Sequence, residues 1–348
     1  MPGALGARTG GTRYDMRLAD ALPGANVACR PVALDGAFPG PDARGTAALR
    51  AALDAVPPGD RVVIDGLCLA TVADLATVPP FVALVHHPAD RETGLSPAEA
   101  ARLRHLETRA LARAAHVVAT STHTGEMLAA AYGVARPRLG VVPPGVTVSC
   151  DRSPGRSRAS GPLRLLAVAS VTARKGYAVL LETLIRLRRE YPGLPAFRID
   201  CYGSLERDPA LVDALRQTIA VHGLGDCIWL HGEVDEAGLA QAYAAADLFV
   251  HAAHYEGYGM AVADALACGL PVVATAGGAV EDLVPEDAGR LVPPGDANAF
   301  AAELAGLLRD PALRATLAVG AQRAGARLPD WRAAAALFAA QCRGAFFP

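Results

Sequence analysis

The chain has 348 residues, of which 52% are hydrophobic and 20% are charged, so it is long and apolar enough for a globular protein of two domains. The formal net charge of −2 provides no basic surface for nucleic acid, and no apolar run reaches the length of a membrane span. The first residues lack the apolar core of a signal peptide, and none of the seven cysteines forms a C-x-x-C pair. We therefore expect a cytoplasmic protein whose cysteines are reduced.

The N-terminal part of the chain alternates short apolar runs with amphipathic segments. Helices are predicted over 96–114 and 122–133, each with a Ser or Thr cap. Strands are predicted over 61–66, 81–85, 116–120 and 139–142. Such alternation predicts a parallel sheet that is covered on both faces. The chain opens on the glycine-rich loop "GARTGGTRYD", where a strand is usual, so either a first strand is missing or the sheet is one strand short.

The composition changes over 143–162, where Pro, Gly, Ser and Arg predominate as in a linker. The alternation then resumes, with strands predicted over 163–170, 197–203, 227–232, 247–252, 270–275 and 289–295. The predicted organisation is an N-terminal α/β domain (1–150), a C-terminal α/β domain (151–325) and a last helix (326–348) that packs back on the N-terminal domain.

Lys175 is the only lysine among the 33 Lys and Arg residues. It could be a surface lysine kept by chance in an arginine-biased chain. However, it lies between the strand 163–170 and an amphipathic helix, at the edge where open α/β sheets bind ligands. A helix N-terminus attracts anions, and an ammonium group is a compact point charge. We therefore predict that Lys175 and the neighbouring Arg174 bind a phosphate.

A second constellation follows the strand 247–252. Gly257 and Gly259 allow the backbone to approach a ligand closely, and a helix is predicted to begin near Met260. Asp264 lies in this otherwise apolar helix, where a carboxylate requires hydrogen bonds. The hydroxyls of a ribose would provide them, and neighbouring backbone amides are the alternative.

The segment 254–284 resembles the signature of glycosyltransferase family 4, in which two glutamates are separated by seven residues. Glu256 takes the first acidic position, and Asp264, one methylene shorter, takes the second. The stretch "ASVTARKG" is similar to the phosphate-binding turn of the family, with Ser170 where the family usually has Arg. "TGGTRYD" is similar to its glycine loop, and "VALVHHP" to its strand that ends in a histidine. The resemblance covers nearly the whole chain.

The resemblance implies an α/β protein of the GT-B fold, with two Rossmann-like parallel-sheet domains facing a cleft. The N-terminal domain (1–150) would lie on the acceptor side, and the C-terminal domain (151–325) would bind the nucleotide-sugar. It also implies a retaining hexosyltransferase that moves a sugar from a nucleotide diphosphate donor to an acceptor hydroxyl. His86 and Glu256 are the implied catalytic residues, and the strand register favours His86 over His87. The residues implied in donor binding are Gly10, Gly11, Ser170, Arg174, Lys175, Gly257, Tyr258, Gly259, Met260 and Asp264.

No cofactor is expected and, because there is no Asp-x-Asp motif, no metal. A UDP-sugar is the first expectation for the donor and a GDP-sugar the next, while the sequence does not indicate the acceptor. The helix that carries Arg102, Arg104, Arg109 and Arg113 could contact an anionic membrane. The interleaved Glu99 and Glu107 favour an ordinary solvated helix face instead.

The main alternative is a catalytically inactive nucleotide-sugar-binding protein of the same fold, with which Ser170, Asp264 and a missing first strand are consistent. A sugar-nucleotide epimerase or a phosphorylase of similar architecture is another. A phosphorylase needs a pyridoxal-binding lysine, and Lys175 in a phosphate turn is a poor candidate. An NAD-dependent dehydrogenase is disfavoured because no G-x-G-x-x-G follows a predicted strand with an acidic residue about twenty positions on.

Overall fold

The computed structural model describes residues 1–3, 9–40, 42–148, 150 and 161–346. The chain forms two compact units, the first made of 1–145 with 329–348 and the second of 146–328. The predicted linker 143–162 lies partly outside the described residues.

The first unit is built on a parallel sheet in the order β1-β2-β3-β4. Its strands are β1 (Val62–Asp65), β2 (Phe81–Val85), β3 (His116–Ala119) and β4 (Leu139–Val141). Its helices are α1 (Gly10–Ala21), α2 (Ala43–Asp54), α3 (Leu69–Asp74), α4 (Pro97–Arg113), α5 (Thr122–Tyr132) and α13 (Trp331–Phe346). The four strand predictions for this half of the chain are confirmed to within a few residues at each end. Among the described residues no strand precedes β1, and only an isolated bridge joins Pro2 to Leu34.

The predicted glycine-rich loop is helical from Gly10 onwards. Thr9 caps α1 by accepting a hydrogen bond from the Thr12 N–H, which offsets the low helix propensity of Gly10 and Gly11. The prediction of a loop over "GARTGGTRYD" is therefore wrong for 10–15, while 6–8 lie outside the described residues. Tyr14 anchors the helix, since its hydroxyl donates to the Val142 carbonyl and its ring meets Trp331 of α13 edge-on.

The second unit is a six-stranded parallel sheet in the order β10-β9-β8-β5-β6-β7. Its strands are β5 (Leu163–Val168), β6 (Phe197–Tyr202), β7 (Ile228–Gly232), β8 (Leu248–His251), β9 (Val272–Thr275) and β10 (Gly289–Val292), all as predicted to within a few residues. Its helices are α6 (Tyr177–Glu190), α7 (Pro209–Val221), α8 (Glu236–Ala245), α9 (Met260–Ala267), α10 (Val280–Leu283), α11 (Ala297–Arg309) and α12 (Pro311–Gly325). Two apolar clusters cover its two faces.

The chain runs outward from β5 through β6 and β7, and then returns to place β8 on the other side of β5. The strand order therefore reverses between β5 and β8. Loops diverge at such a point, so the carboxyl ends of the two strands border a crevice in which open α/β sheets bind ligands.

A disulfide joins Cys150 to Cys268, whose Cα atoms are 5.1 Å apart, so the expectation of reduced cysteines is wrong for this pair. Cys268 is the residue that caps α9, and Thr147 and Val148 also bind that helix through Asp264. The segment that enters the second unit thus packs on α9. A sequence separation of 118 residues hides this proximity from the pattern of cysteines.

The basic helix α4 uses three of its four arginines to bind carbonyl groups within its own unit. Arg104 donates to Ala131, Arg109 to Ala73, and Arg113 to Val72 and Leu75. Glu107, expected on a solvated face, is 2% exposed, because it turns inward and accepts a hydrogen bond from the Ala89 N–H. Within the described part of the chain, no helix is both long and apolar enough to cross a membrane.

Candidate active site

In the second unit, the loops after β5 and β8 bring Arg174 and Lys175 to Glu256. Lys175 Nζ donates to Glu256 Oε1 at 2.5 Å, and Arg174 Nη1 lies 3.6 Å from Glu256 Oε2. All three side chains are largely buried. The two sets of residues, 81 positions apart in the chain, meet because β5 and β8 are neighbours in the sheet.

Glycine makes this proximity feasible. Gly176 has a left-handed backbone with φ of +67°, and a Cβ atom there would overlap the carbonyl oxygen of Ala252. The two loops are also joined by their backbones, since the His254 N–H donates to the Arg174 carbonyl at 2.8 Å. The Arg174 side chain completes the contact by donating to the Tyr255 carbonyl. The turn 171–176 and the loop that carries Glu256 therefore form one connected surface.

The Glu256 carboxylate is held in the ionised form. Burial raises its pKa, but Lys175, His251 and Arg174 together outweigh burial and hold the pKa well below its usual range. His251 Nε2 lies 2.8 Å from Oε1, the oxygen that also binds Lys175. The result is a fixed carboxylate at the edge of the sheet.

The backbone of Glu256 is fixed as well. It forms a bridge with Gly278, in which the Glu256 N–H donates to Gly277 and the Ala279 N–H donates to the Glu256 carbonyl. A Cβ atom at Gly277 would meet the His254 carbonyl oxygen at 2.7 Å, and one at Gly278 would overlap the Glu256 carbonyl. Because neither residue has a side chain, the loop after β9 can pack closely on the loop that carries Glu256.

The other predicted donor-binding residues of this unit lie on the same stretch. Gly257 is buried, and Gly259, with φ of +97°, starts α9, whose first residue is Met260. Burial, followed by the charge of Asp264, raises the pKa of Tyr258 to about 12, so its phenol stays neutral at physiological pH. Ser170 is half-buried and lies between β5 and the turn 171–176.

Asp264 lies inside α9 and is 3% exposed. Its Oδ1 accepts hydrogen bonds from the Thr147 N–H at 2.9 Å and the Val148 N–H at 3.2 Å. These contacts correspond to the alternative in which backbone amides satisfy the carboxylate. Binding of ribose hydroxyls by Asp264 stays a prediction.

In the first unit, His86 lies in a cluster with two carboxylates. Its Nε2 atom is 3.0 Å from Asp15 Oδ1 and 3.5 Å from Asp65 Oδ2. Asp65 ends β1, His86 directly follows β2, and Asp15 lies one turn into α1. A Cβ atom at Gly11 would meet the His86 ring at 3.2 Å, whereas one at Gly10 would meet nothing. Gly11 therefore lies against the His86 ring.

In this cluster the protonated imidazole of His86 lies between the carboxyl groups of Asp15 and Asp65. Burial lowers the pKa of His86, but Asp15 and Asp65 outweigh burial and raise the pKa to about 10. Burial raises the pKa of Asp15, while for Asp65 the hydrogen bond and the charge of His86 outweigh burial and lower the pKa. His86 therefore carries a positive charge at neutral pH. His87 points elsewhere and lies 3.5 Å from Glu92 Oε2.

The ligand atoms of Asp15, Asp65 and His86 all lie within 4.8 Å of one another, so among the described residues this trio could hold a metal ion. Two carboxylates and one imidazole are a donor set that divalent cations accept, but only with a neutral imidazole. A metal ion bound there would have to displace the proton that His86 carries.

Three polar residues of these clusters were not predicted from the sequence: Asp15, Asp65 and His251. His86 drew attention because it stands at the carboxyl end of a strand. Asp65 and His251 each end a strand as well, so the same criterion would have indicated them. Asp15 follows Gly11 by four residues in a helix, a spacing that places it on the same face. Recognising that 10–15 is helical would have revealed Asp15.

Two family models match the chain. Residues 10–149 match the model "Glycosyltransferase Family 4", and residues 162–310 match "Glycosyl transferases group 1".

Curated relatives include a D-inositol 3-phosphate glycosyltransferase from Xylanimonas cellulosilytica, 34% identical over 66% of this chain and 57% of the relative. Another is the MMP alpha-(1->4)-mannosyltransferase of Mycolicibacterium hassiacum, 28% identical over 79% of this chain and 68% of the relative. The chain spans between about half and two thirds of the length of these relatives.

Solved structures confirm the GT-B fold class. Sucrose-phosphate synthase from Thermosynechococcus elongatus superposes with a TM-score of 0.76 and 23% identity over 97% of this chain and 94% of that one. HepE from Anabaena, in complex with UDP-glucose, gives a TM-score of 0.75 at 19% identity over 98% of both chains.

Proposed function

The chain belongs to the family 4 glycosyltransferases, and from that premise we propose that it transfers a sugar from a nucleotide diphosphate donor to an acceptor hydroxyl with retention of anomeric configuration. The observation that carries the proposal is the cluster of Lys175, Arg174 and Glu256 at the reversal of the strand order. Two cations and one fixed carboxylate beside a crevice suit a substrate that has a diphosphate at one end and sugar hydroxyls at the other.

The reaction expels a nucleoside diphosphate, so negative charge develops on the phosphate oxygens. Lys175 and Arg174 stabilise that charge, because preorganised cations in a partly buried site are worth more than in water. Glu256 binds sugar hydroxyls. It is a poor nucleophile, since three positively polarised partners hold its carboxylate and keep its pKa low. The departing phosphate helps to deprotonate the acceptor.

His86 contributes charge and not general-base catalysis. A pKa of about 10 leaves very little neutral imidazole at pH 7, so proton abstraction by His86 is disfavoured. We assign it to electrostatic stabilisation of the donor during the reaction, with Asp15 and Asp65 fixing the ring.

We favour a UDP-sugar as donor and a GDP-sugar as second choice. HepE, which shares the fold, has been solved in complexes with UDP and with UDP-glucose. The acceptor and the sugar are open, and a cytoplasmic location stays a prediction that cell fractionation would check.

Titration calorimetry with UDP, GDP, UDP-glucose and GDP-mannose, followed by transfer assays with a panel of acceptor alcohols, tests this proposal. We expect binding of at least one nucleotide diphosphate and donor-dependent glycoside formation. Proton NMR of the product then reads the anomeric configuration, which should match the donor. Failure to bind any nucleotide diphosphate would refute the proposal. Binding without transfer or donor hydrolysis would favour the inactive nucleotide-sugar-binding protein.

A further inference from the structure

His251 is a polar residue in a strand that is otherwise completely apolar. It ends β8, after Leu248, Phe249 and Val250, and is 5% exposed. The position borders the crevice between β5 and β8. A buried imidazole is costly without a hydrogen-bond partner, so its presence at the end of this strand points to a specific contact.

That contact is Glu256. His251 Nε2 lies 2.8 Å from Glu256 Oε1, five residues along the chain, where the loop turns back towards the end of β8. A carboxylate with a strongly lowered pKa can only accept, so Nε2 carries the proton in this hydrogen bond. Phe249 stacks on the same imidazole, with ring centroids 6.2 Å apart and planes 17° apart, which fixes the ring plane.

The two carboxylate oxygens of Glu256 differ in their partners. Oε1 accepts short hydrogen bonds from both His251 and Lys175, whereas Oε2 has an ion pair with Arg174 at 3.6 Å, beyond normal hydrogen-bond distance. Two donors on one oxygen fix the rotation of the carboxyl group. Lys175 alone would not, because its long flexible side chain can follow a moving carboxylate.

We propose that His251 is a positioning residue for the donor sugar. It holds Glu256 so that Oε2 faces the sugar hydroxyls, and it leaves Lys175 able to move towards a phosphate without releasing the carboxylate. This inference rests on the proposed function, since it requires that Glu256 contact the sugar. His251 itself does not touch the substrate.

The proton position tests the contact independently of any substrate. In protein labelled with ¹⁵N-histidine, two-bond ¹H–¹⁵N correlation spectra assigned with His251→Gln should show Nε2 of His251 carrying its proton at neutral pH. Glu256→Gln should shift that signal. A bare Nε2, or no response to Glu256→Gln, would overturn the proposal.

The role of His251 is tested by calorimetric titration with UDP and with UDP-glucose. His251→Leu should weaken UDP-glucose binding about tenfold, as for the loss of one hydrogen bond to a charged group, and leave UDP binding nearly unchanged. His251→Gln, which keeps an N–H donor, should restore part of the difference. His231→Leu is the matched control, because His231 belongs to the same unit but pairs with Asp200.

Equal losses for UDP and UDP-glucose, or equal effects of Leu and Gln, would assign His251 a structural role only. If the wild-type protein binds neither ligand, the titrations are repeated with GDP and GDP-mannose, and the proposed function and the sugar-positioning role both fail if these do not bind either. The proton position would then still show whether the contact exists. Circular dichroism and thermal unfolding of each variant confirm that it is folded.

Discussion

Lys175, the only lysine of the chain, places its Nζ atom 2.5 Å from Glu256 Oε1. The residue expected to bind the donor phosphate is thus paired with the residue expected to bind the donor sugar. A phosphate that enters the crevice must compete with a carboxylate for the same ammonium group.

Lys175→Ala should weaken binding of UDP much more than binding of uridine, since only UDP carries the diphosphate. It should also destabilise the fold by about 1–3 kcal/mol, because Glu256 would lose its closest cation while remaining buried. The double variant Lys175→Ala/Glu256→Gln should regain most of that stability but not the UDP affinity. Urea unfolding and calorimetry measure the two effects. If the stability losses of Lys175→Ala and Glu256→Gln simply add up in the double variant, the contact between the two side chains is energetically unimportant.

If His86 acts on the donor as proposed, His86→Ala should lower kcat by a factor on the order of 10² or more while changing donor affinity little, because such a charge acts mainly in the transition state. His87→Ala is the matched control and should have a milder effect, since His87 pairs with Glu92. Steady-state kinetics on both variants decide the matter. Full turnover by the His86 variant would make the Asp15–His86–Asp65 cluster structural.

Asp264→Ala should destabilise the protein by about 1–3 kcal/mol, because the Thr147 and Val148 amides would lose their acceptor. Asp264→Asn keeps an acceptor oxygen and should cost less. Chemical denaturation compares the two.

The same Asn variant tests ribose recognition. If Asp264 also binds ribose hydroxyls, Asp264→Asn should lose affinity for UDP but much less for 2′-deoxy-UDP. A similar loss for both nucleotides would limit Asp264 to holding the entry segment on α9.

Glu107 should make stability depend on pH. Burial raises its pKa to about 8, although the Ala89 N–H opposes the shift. The native state therefore keeps a proton that the unfolded chain releases above its ordinary pKa of about 4.3. The stabilisation is complete below that value and is lost as the pH rises to about 8, which amounts to a few kcal/mol.

Unfolding measured between pH 5 and 9 should show this decline in the wild type and a flatter profile in Glu107→Gln. Glu126, which is exposed on α5, provides the control variant Glu126→Gln, whose profile should match the wild type. Parallel profiles for all three proteins would show that Glu107 titrates normally.

The disulfide should contribute to stability under oxidising conditions. It closes a loop of 118 residues, for which the chain-entropy model gives about 4–5 kcal/mol. Cys150→Ser should lower the melting temperature, and dithiothreitol should lower it in the wild type but not in the variant. The exposed Cys29 provides the control Cys29→Ser. Thiol titration of the denatured, unreduced protein should find five thiols; seven would disprove the bond.

The sheets were predictable because fully buried parallel strands are continuous apolar runs. All ten strands of the described residues were located that way. The strand end and the helix start on either side of Lys175 indicated a ligand-binding edge, whereas Glu256 and His86 were selected by the family resemblance. Asp15 was missed because Gly10 and Gly11 indicated a loop, whereas the Thr9 cap makes the segment helical. The burial of Glu107 and the pairing of Cys150 with Cys268 depend on which elements pack together, and local sequence patterns do not contain that information.

The close approach of the Gly176 backbone to Ala252 also limits which positions can be varied to re-engineer this glycosyltransferase. Any side chain there would collide with Ala252. A side chain at Gly277 would meet the carbonyl oxygens of His254 and Ala253, and one at Gly278 would meet the Glu256 carbonyl oxygen and the Tyr255 ring. Libraries aimed at a different donor should leave these three codons fixed. Diversity belongs at Tyr258 and Met260, which are only half-buried and should tolerate substitution better than these glycines.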